Sequence, residues 1–116
     1  MKLRIQDSSL RLRLTRKEVA VFAATGRVAA ETHFPSGERL TYALEVSRSG
    51  ERLAATFEDG RITVCVPEEL VSEWAHTDKV GLEEDSGMII LVEKDFKCLH
   101  GPAHRVDADA FPNPNA

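Results

Sequence analysis

Arg11 and Arg13 stand two residues apart in the run Leu10-Arg11-Leu12-Arg13-Leu14. That spacing puts both guanidiniums on one face of a strand and the leucines on the other. Paired guanidiniums grip a phosphate or carboxylate through parallel N–H donors, so Arg11 and Arg13, joined by Arg4 and Lys97, form a candidate anion-binding set. Glu93 and Asp95 are likewise two apart, and with Glu45 they make an alternative set of hard oxygen ligands for a divalent metal. The competing reading is a solvated sheet face whose opposite charges pair across strands, each pair worth roughly 0.2–1 kcal/mol.

Three further groups bear on chemistry. Cys98, His100 and His104 have part of a zinc spacing but lack a second ligand pair, so neither a metal nor a cofactor is expected from them. Cys65 falls two residues after Thr63 on an alternating strand, and no histidine nearby in sequence could act as its base, which argues against nucleophilic catalysis. Phe111-Pro112-Asn113-Pro114 ends the chain, and its prolines forbid regular structure. Phe111 is expected to dock in a groove of its own or a neighbouring chain.

The elements that must position these residues are written twice. Residues 5–32 overlay residues 57–84 without a gap, matching Asp7 with Asp59, Val19 with Val71, Ala23 with Ala75, Thr25 with Thr77, Val28 with Val80 and Glu31 with Glu83. Each copy reads turn, alternating strand, helix with one large aromatic (Phe22 or Trp74), a basic residue (Arg27 or Lys79), then strand. Thr15 and Glu18 make a capping box and Gly26 a stop, predicting a first helix over Arg16 to Thr25. Pro67, Glu68 and Glu69 suit a second helix start, predicting Pro67 to His76. After a shift of four residues, Tyr42 to Glu45 overlays Ile90 to Glu93. The expected fold is α+β: a duplicated ββαββ unit with eight short antiparallel strands, forming a barrel-like or strongly curved sheet with two outer helices. Residues 1–98 should be a single domain of two pseudo-symmetric halves, 1–50 and 51–98, with 99–116 an extended tail.

Composition narrows the classes of function. A chain of 116 residues with 42% hydrophobic and 29% charged content can bury a core without staples. The net charge of −4 lacks the basic excess of a nucleic-acid binder. No run approaches a membrane span or a signal peptide, so the expected location is cytoplasmic, without membrane. Cys65 and Cys98 are then expected as free thiols.

The duplicated unit with outer helices resembles the CYTH or triphosphate tunnel architecture, circularly shifted by one strand. In that family a Glu-x-Glu-x-Lys strand leading into the first helix holds metal ions against a triphosphate. Here that stretch is Leu10-Arg11-Leu12-Arg13-Leu14-Thr15, and the nearest match, Glu93-Lys94-Asp95-Phe96-Lys97, lies on another strand. A second resemblance is to short uncharacterised bacterial proteins with a Val-Glu-Lys-Asp-Phe-x-Cys-Leu strand and a Phe-Pro-Asn-Pro tail, carried here by residues 92–99 and 111–114. It implies no activity.

The resulting expectation is a non-catalytic binding module that takes a small anion or a protein partner on a polar, arginine-containing sheet face. Its rivals are a metal-dependent phosphohydrolase of tunnel type and a structural subunit whose exposed strands form a homodimer.

Overall fold

The computed structural model describes residues 1–96 and 111–112. Its elements run β1 (Lys2–Gln6), β2 (Ser9–Leu14), α1 (Arg16–Thr25), β3 (Arg27–His33), β4 (Arg39–Ser47), β5 (Ala54–Glu58), β6 (Arg61–Pro67), α2 (Glu68–Ala75), β7 (Gly81–Asp85) and β8 (Ile89–Lys94). Local chemistry accounts for their ends. The Thr15 side chain accepts from the Glu18 N–H while the Glu18 carboxylate accepts from the Thr15 N–H, and Gly26 closes α1 at φ +83 with its N–H donating to the Phe22 carbonyl. Asp7 (φ 49) and Asp59 (φ 51) take the left-handed backbone of the tight turns β1–β2 and β5–β6, a conformation open to Asp because its short side chain can bond locally.

Two separate four-stranded sheets result, in the orders β1-β2-β8-β7 and β3-β4-β6-β5. This corrects the expected barrel-like single sheet. It also corrects the expectation of an all-antiparallel structure, because β2 pairs with β8 in parallel, as β4 does with β6. The cause is an exchange between halves: the β1–β2 hairpin pairs with the β7–β8 hairpin of the other half, and β5–β6 with β3–β4. Strands brought together from different halves share no tight turn, so nothing forces them antiparallel. Moving each element of the first half to its counterpart in the second (β1 to β5, β2 to β6, β3 to β7, β4 to β8) turns one sheet order into the other.

The pairings also revise the repeat register. Lys2 pairs Arg13 and Ala54 pairs Cys65, which keeps the offset of the overlay through the first hairpins. Beyond the helices it fails: Arg27 pairs Glu45, but the matching place opposite Glu93 is filled by Gly81 rather than Lys79. Likewise Val46 donates to the Gly26 carbonyl and Lys94 to that of Val80. The second copy therefore reaches its third strand two residues late. The left-handed stop at Gly26 turns the chain within one residue, whereas α2 ends at His76 without one and continues through 77–80.

One core joins both sheets and both helices. Leu10, Leu12 and Leu14 of β2 meet Val92 of β8, Leu44 of β4, and Val64 and Val66 of β6, with Phe22 and Trp74 fully buried among them. The two aromatic rings meet edge to face at 6.3 Å and 62°. The Trp74 indole N–H donates to the Val80 carbonyl at 3.1 Å, satisfying a polar atom that burial would otherwise strand. No helix among the described residues is long and apolar enough to cross a membrane.

Candidate functional site

Alternation along β2 buries its leucines and turns Ser9, Arg11 and Arg13 to the outer face of the first sheet. Registers extend this face in rows. Lys2, Arg13, Glu93 and Gly81 stand side by side, as do Arg4, Arg11, Leu91 and Glu83. The β1–β2 half is thus cationic, and the β8–β7 half carries Glu93, Glu83 and Asp85.

Glu93 is the pivot. Its Oε1 lies 2.9 Å from Arg11 Nε and 4.0 Å from Arg13 Nε, so one carboxylate serves two guanidiniums. The closer contact is a Coulombic pair rather than an aligned hydrogen bond. Arg11 Nε, Arg11 Nη1 and Glu93 Oε1 are all withdrawn from water without a hydrogen-bond partner. Gly81 allows this posture, because a Cβ there would stand 2.8 Å from the Val92 carbonyl and 3.0 Å from Glu93 Cγ. At the margin Lys2 pairs with Asp95 at 3.0 Å, while Arg4 reaches only the Gln6 side-chain carbonyl at 3.5 Å.

Three of the four residues expected to bind an anion, Arg4, Arg11 and Arg13, therefore lie together. Lys97 falls outside the described residues, as do Cys98, His100 and His104. Of the alternative metal set, Glu93 is on β8 in the first sheet and Asp95 follows that strand's last residue, whereas Glu45 is on β4 in the second. The polar outer positions thus fall on two separate faces, with Thr41, Glu45, Thr56, Glu58, Thr63 and Cys65 all on the second sheet. Among the described residues no three His, Cys, Asp or Glu side chains come together as metal ligands would. Phe111 is almost wholly exposed, so it fills no groove of its own chain.

On the second sheet the place of Arg13 is taken by Cys65, opposite Glu45. Burial pushes the Cys65 thiol pKa up, and the Glu45 charge raises it further, which keeps the group protonated and unreactive. Glu45 is held instead from the sheet edge by Arg27 at 3.0 Å.

Two concavities escaped the sequence reading. A groove of about 1180 Å³ runs between α1 and the ends of α2 and β8, lined by Leu14, Val19, Ala20, Ala23, Ala75 and Phe96, with Arg16, His76 and Lys94 at its borders. A hollow of about 580 Å³ on the second sheet gathers Arg27, Arg39 and Arg61 with Glu31 and Asp59. Small residues at helical spacing and arginines on three different strands give no local signature, so neither could be assembled before the strand order was known.

Residues 1–115 match a family model. The chain belongs to a family of unknown function (DUF7009). Comparison with the curated proteins and with the solved structures found no match. This agrees with the expectation of an uncharacterised family and no further, and the resemblance to tunnel enzymes gains no support from it.

Proposed function

We propose that the protein is a non-catalytic binding module that holds a small oxyanion, a phosphate or carboxylate, on the β1–β2 half of its first sheet. The observation that carries this reading is the shortage of acceptors around the paired arginines: the guanidiniums of Arg11 and Arg13 share the single carboxylate of Glu93. Guanidiniums that lack acceptors are satisfied by an anion that supplies several oxygens at once. Arg4, beside Arg11 in register, offers a third fork. Lys2 adds charge at the rim.

Binding to the folded state alone raises the melting temperature by mass action. Pyrophosphate and tripolyphosphate are expected to raise it progressively with concentration, and the Arg11→Ala, Arg13→Ala double variant to remain folded and lose the response. No shift at any concentration would overturn the reading. Added magnesium tests the phosphohydrolase alternative, which needs orthophosphate release that disappears in Glu93→Gln or Asp95→Asn. No release is expected, because Glu45 stands on the other sheet and the carboxylates left beside the arginines are already engaged with Arg11 and Lys2.

A further inference from the structure

Among the described residues each sheet is open and has two edge strands, and an unpaired edge presents a row of N–H and C=O groups that another strand can extend. Three of the four edges are guarded. On β1, Lys2 and Arg4 point outward, so antiparallel pairing of two copies about Arg4 would set arginine against arginine. On β7, Glu83, Glu84 and Asp85 would repel a second copy in the same way. β3 packs beside α1 and carries Arg27, Glu31 and His33 on its outer face.

β5 has none of these guards. Its sequence Ala54-Ala55-Thr56-Phe57-Glu58 holds one charge, at its end, and Phe57 is 70% exposed although its neighbour in the pairing, Ile62, is buried. Thr56 occupies on β5 the place that Arg4 occupies on β1, as the pairs Thr56–Thr63 and Arg4–Arg11 show.

We propose that β5 is the seam of a symmetric homodimer, its edge pairing antiparallel with β5 of a second copy about Thr56 and joining two β3-β4-β6-β5 sheets into one of eight strands. In that register Phe57 lies over Ala55 of the second copy, a large side chain on a small one. Glu58 faces Ala54, and Arg52 precedes that residue by two just outside the strand, so the two ends of the seam bring charges of opposite sign toward each other across the axis. A two-fold contact of this kind is self-complementary and closes on itself. A five-residue edge with one aromatic is at the small end of specific interfaces, so the dimer should dissociate on dilution. The arginine face of the first sheet stays open in both copies, and the proposal does not depend on what that face binds.

Sedimentation equilibrium across a concentration series tests the seam. The wild-type chain is expected to approach twice its monomer mass at the upper end and to fall toward one on dilution. Thr56→Arg copies the guard of β1 and sets like charges across the axis, while Phe57→Asp removes the apolar overlap. Both positions are exposed, so both variants should keep the wild-type circular dichroism and melting profile and sediment as monomers. Arg4→Thr on the equivalent strand should leave the dimer unchanged. A wild-type chain that is monomeric throughout overturns the proposal, as does a dimer that either β5 variant leaves intact.

Discussion

The two sheets have the same strand order and matching registers, yet their outer faces carry opposite chemistry at equivalent places. Around Glu93 stand Arg11 and Arg13. Around Glu45 the corresponding positions are Thr63 and Cys65, and the carboxylate turns to Arg27 at the edge, where the first sheet has Gly81. One scaffold thus puts a pair of guanidiniums beside its carboxylate in one sheet and two small uncharged side chains at the equivalent positions in the other. The contrast shows that strand pairing fixes where a side chain stands, while exchanging one partner, Arg27 for Gly81, decides which way a carboxylate leans and what charge is left over.

The core beneath both faces should show no such contrast. Phe22→Ala and Trp74→Ala each empty a fully buried site where the two rings meet, so each is expected to cost about 3–5 kcal/mol in urea titrations. A loss near zero at either position would break the equivalence of the two helices. Trp74→Phe sharpens the test, since it keeps most of the ring but removes the indole N–H that the Val80 carbonyl accepts alongside the Lys94 N–H, and it should cost only about 0.5–1.5 kcal/mol.

On the outer faces the equivalence should fail. Glu93→Gln leaves Arg11, whose side chain is four-fifths buried, without its counter-charge, and should destabilise by about 1–3 kcal/mol, less than the loss of a partner in a fully buried pair. Glu45→Gln removes only a water-exposed partner of Arg27 and should change stability by no more than about 0.5 kcal/mol. Equal effects at the two glutamates would show that the cationic centre is no more enclosed than its counterpart.

The helix starts differ as well, because α1 has its capping box and α2 has Pro67 at its N-cap position with no side-chain cap. Partial burial alone would raise the Glu18 pKa, but hydrogen bonds from the Met1 ammonium and from Thr15 outweigh it and hold the carboxyl below its ordinary value. A carboxyl shifted down stabilises the fold at pH values above its unfolded pKa, and that contribution is lost as pH falls through the folded one. Glu18→Gln should therefore cost about 0.5–1 kcal/mol at neutral pH, with wild type and variant converging in acid. A gap that persists in acid would place the effect in shape rather than charge.

Much of this was written locally in the chain. The period-two leucines of β2, the Thr15–Glu18 box and the Asp-turns each specify an element and its buried face, so both helices and all eight strands could be placed from sequence. Alternation says which face a residue takes and nothing about which strand lies beside it. Hence alternation puts Arg11 and Arg13 on one face, but carries no sign that Glu93 stands beside them through the parallel pairing of β2 with β8. For the same reason Glu45 was wrongly grouped with Glu93 and Asp95. The two-residue delay after α2 was hidden because Val28 over Val80 and Glu31 over Glu83 match in type while differing in place.

The smallest effect concerns Cys65, where the second sheet keeps a neutral thiol at the position of Arg13. Its pKa is raised by burial and then by the Glu45 carboxylate across the β4–β6 pairing. Removing that charge in Glu45→Gln takes away one of the two causes, so the pKa falls toward the ordinary thiol value while remaining above it. Because only the thiolate attacks a disulfide reagent, the labelling rate at mildly alkaline pH should rise a few-fold. The measurement is made in a Cys98→Ser background so that one thiol reports. Its rate-against-pH curve should shift to lower pH without changing its plateau, since access to the half-buried thiol is unaltered. A raised plateau with an unmoved midpoint would mean that the substitution loosened β4 against β6, and the charge of Glu45 would then have no part in keeping this face inert.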